Sequence, residues 1–227
     1  AQVCLARAIS GDGLPGKGKL IVNFGEERTG IILAREGRIE YEGYLSLGGK
    51  DLTGDLAAKF NLSLDNSRKI KHELDLSQLG RGKGNESETG SGFHKDLDHP
   101  GNEETAETVG ARLEEIFELV LSRVSESAAG APSKIMVTGG SARLKGLIGF
   151  LNERFDPEFS LAIANEYVTG MEEITDDPAY STAFALLSQA GNDLTESGRG
   201  ESEKSAMHGG FIPSILNKLK DVFDGSG

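Results

Sequence analysis

Two glycine turns are the segments of this sequence best suited to chemistry, because each follows an apolar run typical of a buried strand. The first turn, residues 25–30, comes after the apolar residues 20–22 and contains a cation and a hydroxyl, Arg28 and Thr29. Glycine has no side chain to keep a ligand away from the backbone amides, so such a turn can cradle a phosphate. Residues 25–30 are therefore a candidate phosphate-binding turn.

The second glycine turn, residues 139–141, follows the apolar run Lys134–Thr138 and precedes an apolar stripe that begins at Leu144. This order predicts a strand, a diglycine and a helix N-terminus, which is a place where backbone amides can meet a nucleotide. A third stretch, residues 11–18, comes close to the phosphate-loop pattern, but it precedes a strand and has glycine where serine or threonine would bind magnesium. Nothing fixes the geometry of the histidines and aspartates at 94–99, so we assign no metal site and no catalytic residue.

Composition and charge exclude several classes of protein. The chain has 227 residues and a formal net charge of −12, which argues against a general nucleic-acid surface. Its single cysteine, Cys4, excludes a disulfide framework and a cysteine-based metal site. No apolar run approaches the ~20 residues that span a bilayer, and no signal peptide is recognisable, so we expect a cytoplasmic protein. The sequence begins at Ala1 inside a predicted helix, without a methionine, so we expect a part of a longer protein.

The rest of the chain alternates between regular elements and segments that lack large apolar side chains. Residues 19–47 predict a three-stranded antiparallel meander, because three β-rich runs are separated by turns. Residues 78–102 and 191–210 are polar, so we expect a disordered insertion and a flexible linker. Apolar periodicity predicts a strand at 159–164 and helices at 1–9, 64–74, 103–127 and 179–190. A further helix is predicted to begin at a capping residue, either Asp51 or Thr53.

An amphipathic helix is predicted at residues 211–224, beyond the linker. Its apolar face consists of Phe211, Ile212, Ile215, Leu216, Leu219, Val222 and Phe223. Such a helix can pack on the core, bind a protein partner or lie on a membrane, and we favour the membrane. Half-burying these side chains yields roughly 5–10 kcal/mol, and ordering the backbone costs a similar amount. A single copy should therefore bind weakly, and a polymer should bind by avidity.

The order of these features resembles the second lobe of an actin-like ATPase, and most closely the FtsA-type family of bacterial cell-division proteins. The similar segments are residues 22–31 (VNFGEERTGI), 47–71 (LGGKDLTGDLAAKFNLSLDNSRKIK), 111–120 (ARLEEIFELV), 135–147 (IMVTGGSARLKGL) and 177–187 (DPAYSTAFALL). Residues 209–223 are similar to the membrane-targeting helix of that family. The resemblance therefore covers residues 3–187 and the tail.

The resemblance implies an α/β fold of the actin-like (ribonuclease H-like) type, with a mixed five-stranded sheet, flanking helices and an inserted smaller α/β subdomain. It places the end of a connecting helix and a loop in residues 1–18, subdomain IIA in 19–49 and 131–190, and subdomain IIB in 50–130. It also implies a site for ATP with magnesium between two lobes. The matching positions for nucleotide contacts are Gly25, Arg28, Thr29, Gly48, Gly49, Arg68, Lys71, Gly139, Gly140 and Ser141.

Several departures from the family pattern concern this nucleotide site. Asn23 replaces an aspartate that helps to hold magnesium-bound water, so hydrogen bonding is kept and the charge is lost. Glu26 and Glu27 stand where the family has glycines, and each carboxylate beside a polyphosphate costs ~1 kcal/mol or more. Arg68 replaces a glutamate that meets the ribose, whereas Lys71 is retained. We therefore expect a retained adenosine end, a weakened phosphate end and no ATP hydrolysis.

The resemblance predicts a scaffold that tethers the tubulin-like division protein FtsZ to the inner face of the membrane and self-associates into actin-like filaments. In the family the FtsZ tail docks on subdomain IIB, so the basic face with Arg68, Lys69 and Lys71 is our candidate for an acidic tail. A pilus-assembly protein of the PilM type is one alternative, although that type generally lacks the amphipathic tail. A working ATPase or sugar kinase is the other, and the two glutamates of the first turn argue against it.

Overall fold

A computed structural model describes residues 2–10, 18–35, 38–79, 100–127, 132, 134–163 and 176–197 of the chain. The turn at 36–37, the group at 94–99 and most of the predicted disordered insertion lie outside these ranges. The end of the predicted linker and the whole tail at 211–224 also lie outside them. The expectations for these segments therefore stay predictions.

A mixed five-stranded sheet in the order β3-β2-β1-β4-β5 forms the centre of the fold. Its strands are β1 Lys19–Phe24, β2 Thr29–Arg35, β3 Arg38–Leu45, β4 Lys134–Thr138 and β5 Glu158–Leu161. β1 pairs antiparallel with β2, and β2 pairs antiparallel with β3, whereas β1 with β4 and β4 with β5 are parallel pairs. The predicted meander and the mixed five-stranded sheet are thereby confirmed.

Helices flank this sheet. They are α1 Gln2–Ser10, α2 Gly49–Phe60, α3 Leu64–Glu73, α4 Asn102–Ser127, α5 Leu147–Arg154 and α6 Ser181–Ser197, with 3-10 turns at Leu76–Gln78, Gly140–Arg143 and Pro178–Tyr180. α2 begins at Gly49, so the predicted capping residue Asp51 is the third residue of the helix and not its N-cap. Its carboxylate accepts a hydrogen bond from the Gly48 N–H (2.7 Å). Among the described residues, no helix combines the length and the apolar character that a membrane crossing would require.

Both faces of the sheet are covered, because helices pack against each of them. On one face α4 presents its predicted apolar stripe, and the ring of Phe117 lies edge-on to Phe24 (5.9 Å between centroids) and Phe159 (5.6 Å). On the other face Ala6 of α1 packs with Ile21 and Ile32. Coverage on both faces explains why β1 and β2 read as continuous apolar runs rather than as alternating ones.

Three further helix boundaries differ from the expectation. α6 ends at Ser197, so residues 191–197 of the predicted linker are helical. A polar composition argues against burial but not against a helix, since an α-helix satisfies its backbone groups internally. The helix expected directly after the second glycine turn begins only at Leu147, because Gly146 has a φ of +78° that interrupts the helix. The helix expected from residue 179 starts as a 3-10 turn and becomes α-helical at Ser181.

Candidate functional site

The sheet topology brings both glycine turns to one edge of the molecule. In the parallel pair of β1 and β4, Asn23 lies opposite Thr138, so the turns that follow these strands leave the sheet side by side. β3 returns antiparallel to β2 with Leu45 opposite Thr29, and this places the N-terminus of α2 at the same edge. Three of the four segments that the resemblance assigned to a nucleotide are therefore neighbours.

Backbone hydrogen bonds join the first turn to the N-terminus of α2. The Gly49 N–H donates to the carbonyl oxygen of Gly25 (2.9 Å), and the Lys50 N–H donates to that of Glu26 (2.8 Å). A β-carbon on Gly48 would lie 2.5 Å from the Glu26 carbonyl oxygen, a distance that side chains do not tolerate. The N–H groups of Gly49 and Lys50 thus donate hydrogen bonds to the protein itself and not to a ligand.

The second turn is attached in the same way. The Gly139 N–H donates to the carbonyl oxygen of Pro178 (3.1 Å). Gly139 has a φ of +96°, and a β-carbon there would lie 2.6 Å from the carbonyl oxygen of Phe24, so this position requires glycine. The Ser141 hydroxyl donates to the carbonyl oxygen of Gly25 (2.9 Å), so the two turns are in direct contact.

Lys71 is a buried cation at the meeting point of the turns. It is 5% exposed, and its Nζ donates to the carbonyl oxygen of Gly49 (2.9 Å) and to Glu26 Oε2 (3.1 Å) and Oε1 (3.4 Å). A buried ammonium group needs such partners, because burial alone disfavours its charge. A β-carbon on Gly49 would collide with Glu26 Oε2 and with Ser141 Oγ. We call Glu26, Gly49, Lys71 and Ser141 the Glu26–Lys71 cluster.

The basic face predicted on α3 is smaller than expected, and the inclusion of Lys71 in it was wrong because Lys71 is buried. Arg68 is exposed and pairs with Asp65 on its own helix (3.3 Å), and Lys69 and His72 are exposed. Lysine is rarely buried unless it is paired, so helical periodicity alone places such a residue at the surface. The burial here depends on a carboxylate 45 positions away in the sequence.

The other candidate residues of the first turn contact the protein itself. Thr29 is fully buried, and its hydroxyl donates to the carbonyl oxygen of Leu47 (2.8 Å). The guanidinium of Arg28 lies 5.3 Å from the centroid of the Tyr44 ring, a cation–π arrangement. Both side chains thus stabilise the meander around the turn.

Asn23 and Gly140 lie beside the second turn. The Asn23 Nδ2 group donates to Thr182 Oγ1 (3.1 Å) and ties β1 to α6, a bond that an aspartate at this position would have no N–H to make. Gly140 is exposed and opens a 3-10 turn. In the described ranges, no three or more histidine, cysteine, aspartate or glutamate side chains are grouped so as to hold a metal ion.

A clamp that the sequence did not reveal joins the end of the α3 segment to the start of α5. The Asp75 carboxylate accepts hydrogen bonds from Lys145 Nζ (2.6 Å) and from the Ser77 N–H (3.0 Å). The hydrogen bond with Lys145 is the main reason why the pKa of Asp75 is lowered to about 2. A β-carbon on Gly146 would lie 2.5 Å from the Ser77 nitrogen, so the two segments touch closely. We call Asp75, Ser77, Lys145 and Gly146 the Asp75 clamp.

A second ion pair spans the segment after the second turn. Arg143 Nε donates to Asp177 Oδ1 (2.7 Å), and a second bond joins Arg143 Nη2 to Asp177 Oδ2. Burial alone would raise the pKa of Asp177, but hydrogen bonds from Arg143 and the Ala179 N–H outweigh it and lower that pKa. Asp177 also caps the 3-10 turn that begins at Pro178, because its carboxylate accepts a hydrogen bond from the Ala179 N–H.

Sequence comparison identifies the family. A model of the family described as "Cell division protein FtsA" matches residues 20–185, from β1 into α6. The chain belongs to the FtsA family. The matched region contains the five described strands and the Glu26–Lys71 cluster.

Individual FtsA proteins show how much of a family member this chain represents. The cell division protein FtsA of Pseudomonas aeruginosa is 26% identical over 215 residues, which cover 92% of this chain and 51% of the relative. The FtsA of Neisseria meningitidis is 24% identical over 216 residues, which cover 91% of this chain and 51% of the relative. The chain therefore spans about half the length of the curated relatives it matches.

Solved structures confirm the actin-like α/β fold. The PilM–PilN type IV pilus biogenesis complex has a TM-score of 0.56 at 20% identity, covering 82% of this chain and 48% of that one. MreB 5 of Spiroplasma citri bound to AMPPNP has a TM-score of 0.57 at 13% identity, covering 86% and 60%. The archaeal actin homologue Ta0583 has a TM-score of 0.53 at 13% identity, covering 85% and 54%. At these identities the likeness shows the fold alone.

Proposed function

We propose that this FtsA-family chain is part of a cell-division scaffold that tethers an FtsZ-like tubulin homologue to the cytoplasmic face of the membrane. The family match over residues 20–185 is the observation that carries the proposal. The actin-like fold supports self-association into filaments as a further part of it. Two surfaces would then do the tethering, namely the tail at 211–224 and the exposed face of α3.

The tail is proposed to bind the membrane surface through its apolar face. Seven large apolar side chains fall on one side of the predicted helix, at Phe211, Ile212, Ile215, Leu216, Leu219, Val222 and Phe223. Only two lysines accompany them and two aspartates offset these, so the attraction is mainly hydrophobic rather than electrostatic. The free energy gained by burying the apolar face is close to the cost of ordering the helix, so a single tail should bind the membrane weakly. Weak binding by each tail suits a protein that binds as an assembly.

Vesicle flotation of the full chain tests this proposal. Ile215→Asp with Leu219→Asp removes two apolar contacts, about 2 kcal/mol for half-buried side chains, and should lower partitioning about thirtyfold. The matched control, Ser214→Asp with Asn217→Asp, adds the same charge on the polar face and should float like the wild type. Vesicles of the uncharged lipids phosphatidylethanolamine and phosphatidylcholine are the probe, so that the added aspartates meet no anionic headgroup. Equal flotation of the complete chain and a chain lacking residues 211–227 would contradict a membrane role.

The exposed face of α3 is proposed to bind an acidic peptide of the FtsZ-like partner. Arg68, Lys69 and His72 remain exposed after the burial of Lys71 is taken into account. The chain as a whole carries a net charge of −12, so a basic face is where an acidic segment is attracted rather than repelled. Asp65 competes for Arg68, which leaves Lys69 as the main contact we expect.

A role in pilus assembly is the second candidate, because PilM in complex with PilN is among the structural neighbours. The family match does not favour it, since that match is to FtsA. A side-by-side titration of the full chain with an FtsZ-type tail peptide and a PilN-type partner separates the two roles. Binding of the PilN-type partner alone would replace the division proposal.

A further inference from the structure

The nucleotide phosphates that an actin-like fold implies do not fit the first turn of this chain. The carboxylate of Glu26 already lies on Lys71, so an anion of the protein itself neutralises the buried cation beside the first turn. The amides of Gly49 and Lys50 donate to carbonyl oxygens of the turn itself. Asn23 offers no charge to magnesium-bound water and is bonded to α6 instead. Donors and cation are thus engaged within the protein.

The contacts of Lys71 show what a phosphate would have to displace. Its ammonium group is bonded to one backbone carbonyl, that of Gly49, and to one carboxylate, that of Glu26. The carbonyl belongs to the first turn of α2, so the carboxylate is the partner that can move. A displaced Glu26 would then face the incoming anion, and like charges at this distance repel.

The space over Gly49 leads to the same conclusion on steric grounds. A β-carbon at Gly49 would collide with both Glu26 Oε2 and Ser141 Oγ and would lie 3.2 Å from Lys71 Nζ. Polar side-chain atoms therefore fill the place where the backbone of Gly49 would otherwise be open to a ligand. The glycine makes room for the protein's own carboxylate.

We propose that Glu26 is an intramolecular substitute for a bound anion. Its carboxylate neutralises Lys71, so the two turns and α2 stay assembled without a nucleotide. The side chain of Glu26 is 50% exposed whereas that of Lys71 is 6% exposed, so the carboxylate sits at the mouth of the cluster above a buried cation. Removing the negative charge of Glu26 makes Lys71 available to an external anion.

Two isosteric variants of the full chain test this proposal. Glu26→Gln removes the charge that faces Lys71, and Glu27→Gln makes the same change at the neighbouring exposed carboxylate. Without ligand, we expect Glu26→Gln to lower Tm by about 2–6 °C, because a buried cation loses its counter-ion, and Glu27→Gln to leave Tm unchanged. Magnesium ATP should stabilise Glu26→Gln at a concentration about tenfold lower than it needs for the wild type or Glu27→Gln.

Sodium triphosphate serves as a second probe, because it presents the phosphates without the adenosine. It should stabilise Glu26→Gln and not the wild type. The proposal is overturned if wild type and Glu26→Gln respond equally to both probes, including the case in which neither responds. It is also overturned if Glu26→Gln leaves Tm unchanged.

Should Glu26→Gln fail to fold, Glu26→Asp is the second variant. It keeps the negative charge on a shorter side chain, and triphosphate should stabilise it more than it stabilises the wild type. Vesicle flotation of either variant should match the wild type, so a failure here is distinct from a failure of the tethering proposal.

Discussion

The Asp75 clamp predicts a specific loss of stability in acid. Hydrogen bonds from Lys145 and then Ser77 to the ionised carboxylate lower the pKa of Asp75 from 3.8 to about 2. Because the folded-state pKa lies below the unfolded one, the stabilisation is complete above about pH 4 and is lost as the pH falls towards about 2. The full shift corresponds to about 2.5 kcal/mol. The side chain of Lys145 is 75% exposed, so solvent screens the pair and we expect about 1 kcal/mol.

Urea unfolding of Asp75→Asn over a pH series measures this contribution. Asparagine keeps an oxygen for the Ser77 N–H but loses the charge that pairs with Lys145, so the substitution isolates the electrostatic part. At pH 7 the variant should be about 1 kcal/mol less stable than the wild type, and the gap should close as the pH approaches about 2. Asp65→Asn is the matched control, because Asp65 and Arg68 form an exposed pair that should contribute less than about 0.5 kcal/mol.

This reasoning is refuted if the difference in the free energy of unfolding between wild type and Asp75→Asn does not depend on pH. A constant difference between wild type and Asp75→Asn would mean that shape or neutral hydrogen bonding holds the clamp, not charge. No difference at pH 7 would mean that the Lys145 pair contributes nothing to the stability of the fold. Either outcome would leave the backbone hydrogen bond from the Leu76 N–H to the Lys145 carbonyl oxygen (2.9 Å) and the close contact of Gly146 with Ser77 as the features that join the two segments.

Two further predictions concern binding and the core. Lys69→Glu should weaken binding of an acidic FtsZ-type tail peptide about threefold to tenfold at low salt, as measured by fluorescence anisotropy. The control, Lys134→Glu on β4, should leave the affinity unchanged. Equal affinities of the two variants would contradict docking on α3. Phe117→Ala should lower the free energy of unfolding in urea by about 3–5 kcal/mol, because the ring is fully buried between Phe24 and Phe159, and a loss below about 1 kcal/mol would contradict that packing.

The fold was predictable where the signal is local and repeated. The apolar stripe of α4 recurs along 26 residues, and every turn of the helix adds evidence for the same face. The meander was predictable because apolar runs and turn residues alternate within a short stretch, and the resemblance supplied the parallel partner strand β4. Boundaries were less predictable. The break before α5 coincides with one glycine, Gly146, which has a left-handed backbone and leaves no room for a β-carbon beside Ser77.

At the candidate site, the sequence predicted where the glycines lie but not which charged side chains pair with each other. The glycines converge as the resemblance implied, because the order of the strands dictates where the turns leave the sheet. The partner of Lys71 lies 45 positions away, and no periodicity links the two residues. From the sequence alone, Glu26 is expected to repel a phosphate. The three-dimensional structure shows that its carboxylate pairs with Lys71.

The glycines of this site therefore carry less information about nucleotide binding than their motif suggests. Gly48 and Gly139 are required because the backbones of two turns approach each other closely, and this requirement holds with or without a phosphate. Retention of the motif follows from the fold, so it cannot distinguish an ATPase from a scaffold. On the proposal that Glu26 substitutes for a bound anion, the residue that bears on this choice is Glu26, because its carboxylate keeps the turns together without a nucleotide.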